Sequence, residues 1–185
     1  LFRSDVRLKD VTLRYPGQEA VALDALNLHI RPGEFIALLG PSGSGKTTLG
    51  RALVSLLNPT AGRIRHDGVE LSSLSTEALR QARRHYQIVF QDPSAALNPR
   101  QSILASVCEP LEIQGGLSRD EREARAIEAL SRVGIAREYV RRYPHMLSGG
   151  QKQRVNIARV LTLRPRLIVC DEVVAALDVS IRGDV

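Results

Sequence analysis

Two stretches of alternating apolar and polar residues open the chain. The first runs from Val6 to Tyr15 and the second from Val21 to Ile30, with Pro16-Gly17 between them. Alternation of this kind predicts strands that have one buried and one exposed face, and a Pro-Gly pair predicts a turn. We therefore expect an N-terminal antiparallel β region that ends in a turn at residues 31–34.

Two later runs are apolar without alternation, and they lie at Phe35–Leu39 and Leu167–Cys170. A short continuous apolar run is typical of a strand that is buried on both faces of a parallel sheet. Helical spacing of apolar residues follows the first run, over residues 48–57, and precedes the second, over residues 148–163. This order of elements predicts an α/β fold in which helices flank a mostly parallel sheet.

The middle of the chain is polar, charged and rich in helix-forming residues. We predict a short helix over residues 76–84 and a short strand over residues 87–90. Further along, residues 119–133 place their apolar side chains on one helical face, after a break at Gly115-Gly116. We expect a single domain, in which residues 1–92 and 164–185 form the α/β core and residues 93–163 form an inserted α-helical lobe.

Composition and charge narrow the class of protein only a little. The hydrophobic share of 43% is ordinary for a globular protein, and no apolar run approaches the roughly 20 residues that span a bilayer. The net charge of +6 would suit an anionic partner, but aromatic residues make up only 4% of the chain. Because stacking of bases needs aromatic side chains, we expect no nucleic acid partner and attribute the charge to the surface.

The cysteines and histidines have no spacing that is typical of a metal site. Cys108 and Cys170 lie far apart, and we expect both to be reduced residues of the core. The four histidines are expected at the surface or in turns.

A glycine-rich segment between the first buried strand and its helix carries the strongest chemical signal. It matches the pattern G-x-x-x-x-G-K-[ST] and reads Gly40-Pro41-Ser42-Gly43-Ser44-Gly45-Lys46-Thr47. Glycines let backbone N–H groups turn inward, and the start of a helix attracts an anion. Lys46 would reach the outer phosphates, Thr47 would ligate Mg²⁺ and Thr48 would contact an inner phosphate. The complete motif predicts a nucleoside triphosphate site rather than a glycine-rich turn without a ligand.

Two carboxylates follow the second buried strand. Asp171 at a strand tip beside the phosphate loop can hold the Mg²⁺ shell, and Glu172 can polarise the attacking water as a general base. The alternative is a solvated pair that ends a strand. The phosphate loop and the apolar run before Asp171 favour the catalytic interpretation.

A third motif separates this chain from other triphosphate-binding proteins. It is Leu147-Ser148-Gly149-Gly150-Gln151, and with it the chain resembles the ATP-binding cassette (ABC) family, whose signature has this sequence between the two phosphate-site motifs. A serine and two glycines at a helix start offer a hydroxyl and bare N–H groups to a phosphate. The resemblance implies that these residues contact an ATP molecule held by a second copy.

The same resemblance assigns roles to three further residues. Tyr15 lies where the family stacks an aromatic ring on adenine. Gln91 matches the glutamine that contacts Mg²⁺ or the attacking water and forms a hinge to the helical lobe. Asp178 matches the residue that contacts the opposite subunit. Catalysis would thus rest on Glu172, Gln91 and Lys46, while Mg²⁺ would be held by Thr47, Gln91 and Asp171.

Other short motifs resemble one class of importers in this family, those for oligopeptides, dipeptides, glutathione and nickel. The motifs are Phe90-Gln91-Asp92-Pro93, Leu97-Asn98-Pro99-Arg100, Arg142-Tyr143-Pro144-His145 and the stretch from Leu177 to Gly183. The resemblance implies an ATP-binding and ATP-hydrolysing subunit that energises import of peptides or nickel. Its partners would be a second nucleotide-binding subunit, membrane permease subunits and, indirectly, a solute-binding protein. It would act at the cytoplasmic face of the membrane.

The sequence also departs from the family pattern. Val173 and Val174 follow Glu172 where Pro or Ala is usual, and Ala175 replaces the usual serine. The family places a switch histidine beyond the position of Asp178, and none of the four histidines lies there. We therefore expect the C-terminal part of the domain to be missing. Two alternatives remain open at this stage, namely a nucleotide-binding module without turnover and a non-transport ABC ATPase of DNA repair or translation.

Overall fold

The computed structural model describes residues 3–171, and these form two compact units. The first unit contains residues 3–88 and 165–171, and the second contains residues 89–164. The helical lobe predicted at residues 93–163 falls within the second unit. No helix in the described range is long and apolar enough to cross a membrane.

A four-stranded antiparallel sheet lies in the first unit. Its strand order is β2-β1-β3-β4, with β1 at Val6–Arg14, β2 at Val21–Ile30, β3 at Ala61–His66 and β4 at Val69–Glu70. The alternating side chains of β1 are buried at Val6, Leu8, Val11 and Leu13. The two N-terminal strands are therefore confirmed. The strands β3 and β4 are not predicted from the sequence, because β3 has a single apolar residue beyond Ala61 and β4 has only two residues.

A second, two-stranded sheet pairs β5 (Tyr86–Val89) with β6 (Leu167–Cys170), close to the predicted positions of both strands. The helix predicted at residues 48–57 is α1 (Lys46–Leu53), which begins two residues earlier and ends sooner. It packs Leu49, Ala52 and Leu53 into the core formed with β1 and β2. The short polar helix is confirmed as α2 (Thr76–Ala82), and it is capped by Ser75.

The strand predicted at Phe35–Leu39 is wrong. These residues form no helix or strand, and Phe35 and Leu39 are 92% and 93% exposed. A strand buried on both faces needs a hydrogen-bonded neighbour, and neither sheet within residues 3–171 includes this segment. Cys170 is likewise exposed rather than in the core, whereas Cys108 is buried and reduced, as predicted.

Three α-helices lie within residues 89–164, namely α3 (Ile103–Gln114), α4 (Arg119–Arg132) and α5 (Gly149–Leu161), together with two short 3-10 helices at Arg137–Tyr139 and Pro144–Met146. Each α-helix begins after a serine whose side chain accepts a hydrogen bond from a backbone N–H of the first turn, which is a favourable cap. Gly115 ends α3 with a positive φ of 72°, as expected for the predicted break. The helices share one core that includes Ile103, Val107, Leu130, Val155 and Ala158. The predicted helices at 119–133 and 148–163 are thus confirmed.

His66 corrects the expectation that every histidine lies at the surface or in a turn. It sits on β3 opposite Val6 of β1 and is 0% exposed. Its ring packs 4.3 Å from that of Tyr86 between centroids. Burial lowers the pKa of His66 to about 4, although the nearby Asp67 carboxylate opposes the shift. The histidine is therefore neutral in the folded protein.

We predict that His66 makes the fold sensitive to mild acid. Because the unfolded chain takes up a proton near the ordinary pKa of 6.5 and the folded chain does not, stability is full above pH 6.5 and falls as the pH drops toward 4. Between pH 7 and pH 5 the loss should be about 2 kcal/mol. Urea unfolding at both pH values measures it.

Two variants separate this effect from general acid sensitivity. His66→Phe keeps a ring against Tyr86 but cannot titrate, and it should lose less stability between pH 7 and pH 5 than the unsubstituted protein. His145→Asn, which replaces an exposed histidine, should retain the original pH dependence. Equal losses in the unsubstituted protein and in His66→Phe would contradict the assignment.

Candidate functional site

The segment 40–47 leads directly into α1. Gly43 and Gly45 have φ values of +81° and +87°, in the left-handed region that favours glycine. Gly45 is the cap residue of α1, and it offers no side-chain hydrogen bond to the first turn, which also contains no acidic residue. The first N–H groups of the helix are therefore left for an external acceptor, and the positive end of the helix favours an anion there.

Position 45 needs glycine for two reasons: its φ is positive, and there is no room for a side chain. A Cβ atom at this position would lie 2.6 Å from the carbonyl oxygen of Ala22 and 3.2 Å from Cδ2 of Leu23, both on β2. The first distance is shorter than real Cβ contacts allow. The antiparallel sheet therefore packs directly against the start of α1 and fixes where the helix begins.

Lys46 folds back along the loop. Its Nζ atom donates to the carbonyl oxygens of Gly40 and Pro41, at 2.7 Å each, and to Oγ of Ser44 at 3.3 Å. These contacts hold the ammonium group on the loop that also presents the helix N-terminus. A phosphate bound there would meet a positive charge that already lies on the loop, and it would replace one or more of these three acceptors.

Thr47 and Asp171 meet although 124 residues separate them in the sequence. Oγ1 of Thr47 donates to Oδ1 of Asp171 at 3.1 Å, which joins the first turn of α1 to the end of β6. No group of three or more His, Cys, Asp or Glu side chains within residues 3–171 could hold a metal by itself. A hydroxyl and one carboxylate fit Mg²⁺, which commonly takes one or two carboxylates together with substrate phosphates and water.

Tyr15 and Thr48 also lie together. The phenol oxygen of Tyr15 and Oγ1 of Thr48 are 3.0 Å apart and share a hydrogen bond. Tyr15 is half-buried just beyond the end of β1, and Thr48 is buried in α1. The contact places an aromatic ring beside the helix that carries the phosphate loop. Adenine stacking by Tyr15 and a phosphate contact by Thr48 stay predictions.

The Leu147–Gln151 motif starts α5 in the second unit. Ser148 and Gln151 form a reciprocal capping box, in which Oγ of Ser148 accepts from the Gln151 N–H at 3.2 Å and Oε1 of Gln151 accepts from the Ser148 N–H at 2.9 Å. Leu147 is buried and anchors the turn. Because the serine oxygen acts as an acceptor in the cap, its hydroxyl hydrogen can still be donated to another group.

Gly149 of this motif has no steric reason among the described residues to be glycine. A Cβ atom on Gly149 would meet nothing within 4 Å, and the residue is helical with an ordinary φ. A helical glycine costs roughly 1 kcal/mol relative to alanine. Bare backbone at an exposed helix start is a surface that another molecule can approach closely.

Of the remaining predicted site residues, the structure describes only Gln91. Gln91 is exposed and follows β5 in the second unit, whereas the phosphate loop, Tyr15 and Asp171 belong to the first. Glu172 and Asp178 lie outside the described residues. Asn156 and Arg159 inside α5 are not predicted as site residues from the sequence, although a polar side chain within an apolar helical face is a usable signal.

A comparison with family models finds that the ABC transporter model matches residues 23–175. The match contains the phosphate loop, the motif at Leu147–Gln151 and the carboxylates at Asp171 and Glu172.

Comparison with curated proteins finds importer subunits. A protein of Brucella abortus, provisionally named a peptide import ATP-binding protein, is 45% identical over 190 residues, which cover 100% of this chain and 57% of that protein. A glutathione import ATP-binding protein, GsiA of Escherichia coli, is 43% identical over 189 residues, which cover 97% of this chain and 30% of that protein. The chain therefore spans about half or less of the length of these relatives.

Solved structures of ATP-binding cassettes share the fold. A dimeric, post-hydrolysis structure of the cassette MJ0796 bound to ADP and Pi has a TM-score of 0.85 and 38% identity, and the match covers 95% of this chain and 77% of that one. CbiO1 of Clostridium perfringens, part of the complex cbiONQ, has a TM-score of 0.81 and 34% identity, with coverage of 94% and 67%. The predicted family and fold class are confirmed.

We predict that Gly45→Ala weakens nucleotide binding at least tenfold, because the added methyl group pushes the start of α1 away from Ala22. Titration with Mg-ATP measures the nucleotide affinity, and urea unfolding measures the stability. Gly33→Ala is the matched control, since Gly33 has a φ of +78° but nothing within 4 Å of a Cβ atom. It should lose roughly 1 kcal/mol of stability and keep its affinity. Equal affinities for the two variants would contradict this account of the loop.

Proposed function

Since the chain belongs to the ABC transporter family, we propose that it binds Mg-ATP at residues 40–48 and hydrolyses it to energise an importer. The observation that carries the proposal is the hydrogen bond between Thr47 and Asp171, which joins the phosphate loop to the strand that leads to Glu172. The curated relatives named above are subunits for peptide and glutathione import. We therefore favour a peptide cargo over nickel.

The described residues divide the work of binding the nucleotide. The N–H groups at the start of α1 would hold the phosphates, and Lys46 would neutralise part of their charge. Thr47 and Asp171 would hold Mg²⁺, which supplies the charge that stabilises the transferred phosphoryl group. Tyr15 would position the adenine ring. Each of these groups is fixed by contacts within the first unit, so little reorganisation is needed on binding.

Hydrolysis would need residues that lie beyond this set. We assign the general base to Glu172, directly after Asp171, and the orientation of the attacking water to Gln91. General-base catalysis contributes typically 10²–10⁴-fold to a rate.

A second copy, or a similar subunit, would complete the site. The free hydroxyl hydrogen of Ser148 and the bare backbone of Gly149 suit the γ-phosphate of an ATP molecule held by the opposite chain. The dimeric state of the related cassette MJ0796 supports this arrangement. Asp178 would contact the opposite subunit. Permease subunits would dock on the helical lobe, a solute-binding protein would deliver the cargo, and the chain would work at the cytoplasmic face of the membrane.

We predict that Glu172→Gln, in the complete subunit, lowers ATP turnover at least a hundredfold and leaves Mg-ATP binding intact. The amide keeps the size of the side chain but cannot accept the proton of the attacking water. Phosphate release and equilibrium nucleotide binding are measured separately. Glu128→Gln is the matched control, because Glu128 is an exposed carboxylate of α4. Unimpaired turnover in Glu172→Gln would show that Glu172 is not the general base. If the unsubstituted subunit shows no turnover, the protein binds nucleotide without hydrolysing it.

A further inference from the structure

The chain between Gln91 and α3 has almost no secondary structure of its own. Residues 91–102 form only turns and bends. The carbonyl groups of such a segment need partners from elsewhere when they are removed from water. Two side chains of α5 supply them. Nδ2 of Asn156 donates to the carbonyl oxygen of Pro93 at 3.0 Å, and Nη1 of Arg159 donates to that of Ala96 at 2.7 Å.

Arg159 also links the segment to α3. Its Nη2 atom donates to Oε2 of Glu109 in an ion pair whose side chains are only 28% and 34% exposed. A single guanidinium group therefore joins α5, α3 and the backbone at Ala96. The planar fork of arginine suits two partners at once, whereas the ammonium group of lysine is a compact point charge.

The same helix carries a further buried polar residue. Gln153 lies three residues before Asn156 and is 1% exposed, and neither its amide oxygen nor its amide nitrogen has a partner among the described residues. Oδ1 of Asn156 is also without a partner there. Polar groups buried in this way destabilise a core unless they are hydrogen bonded, often to ordered water. Gln153 and Asn156 therefore make α5 less stable than apolar side chains at the same positions would. This indicates that they have a role other than stability.

We propose that Asn156 and Arg159 are positioning residues that fix the segment after Gln91 to α5, the helix that Ser148 caps. Pro93 is two residues from Gln91, so the tether limits where the Gln91 side chain can reach. A shift of α5 or α3 would be transmitted through Arg159 to the segment. The role of Gln91 rests on the proposed function. The tether does not, because its hydrogen bonds lie wholly within the second unit.

The test compares Arg159→Lys and Asn156→Leu with the complete unsubstituted subunit. Arg159→Lys keeps the charge and loses the fork, and Asn156→Leu keeps the approximate shape and loses the bond to Pro93. Amide hydrogen exchange at residue 92 and at residues 94–97 should become at least tenfold faster in both variants. The kcat for ATP hydrolysis should fall about tenfold while KM for ATP changes little, since the phosphate loop, Thr47 and Asp171 lie in the first unit and keep their contacts.

Lys152→Ala is the control, because Lys152 lies on the same helix and its side chain makes no hydrogen bond or ion pair within residues 3–171. It should match the unsubstituted subunit in every readout. If Arg159→Lys or Asn156→Leu fails to fold, the other variant still tests the tether. Unchanged exchange at residue 92 and at residues 94–97 would overturn the tether, and faster exchange with unchanged kcat would overturn the positioning role. A subunit that shows no turnover at all would refute the proposed function instead, and hydrogen exchange would still test the tether.

Discussion

The start of α1 is the constraint on which the site depends. Gly45 is held in a left-handed conformation with no room for a side chain, because the carbonyl of Ala22 lies against it. The helix therefore begins at Lys46 with its first N–H groups uncapped by any side chain. Uncapped helix starts are unfavourable unless another group accepts those hydrogen bonds. The antiparallel sheet thus maintains a helix end that an anionic ligand can complete.

The other elements of the first unit act on this helix end. The bond from Thr47 to Asp171 joins α1 to β6, and the bond between Tyr15 and Thr48 joins it to the end of β1. Lys46 is held by carbonyl groups of the same loop. The result is a compact set of cation, hydroxyl, carboxylate and helix dipole that needs no metal-binding cluster of its own. Such a set suits a ligand that brings Mg²⁺ with its phosphates.

Local pattern predicted those parts of the fold and site that depend on neighbouring residues. Alternation located β1 and β2, and the helical spacing of apolar residues located α1 to within two residues of its start. Pattern failed where pairing over long distances decides the outcome. Phe35–Leu39 is apolar enough for a buried strand but has no partner strand within residues 3–171, and His66 is buried because β3 pairs with β1.

In the site, too, local motifs could be predicted from the sequence and long-range contacts could not. The motifs marked Lys46, Thr47 and Ser148 from the sequence alone. The bond between Tyr15 and Thr48 and the tether from α5 to Pro93 and Ala96 could not be predicted, since they join side chains and backbone groups across distances of 33 and 63 residues. Only the packed fold brings such pairs together.

We propose that Thr47 and Asp171, which share a hydrogen bond, together form the Mg²⁺ position of an ATP site. The most direct measurement is the affinity for ATP with Mg²⁺ and with EDTA, in the unsubstituted subunit and in Asp171→Asn. The amide can still accept the hydrogen bond from Thr47 but carries no charge for the cation. We expect Mg²⁺ to strengthen ATP binding at least tenfold in the unsubstituted subunit and to have little effect in the variant. An equal Mg²⁺ effect in both proteins would contradict the account.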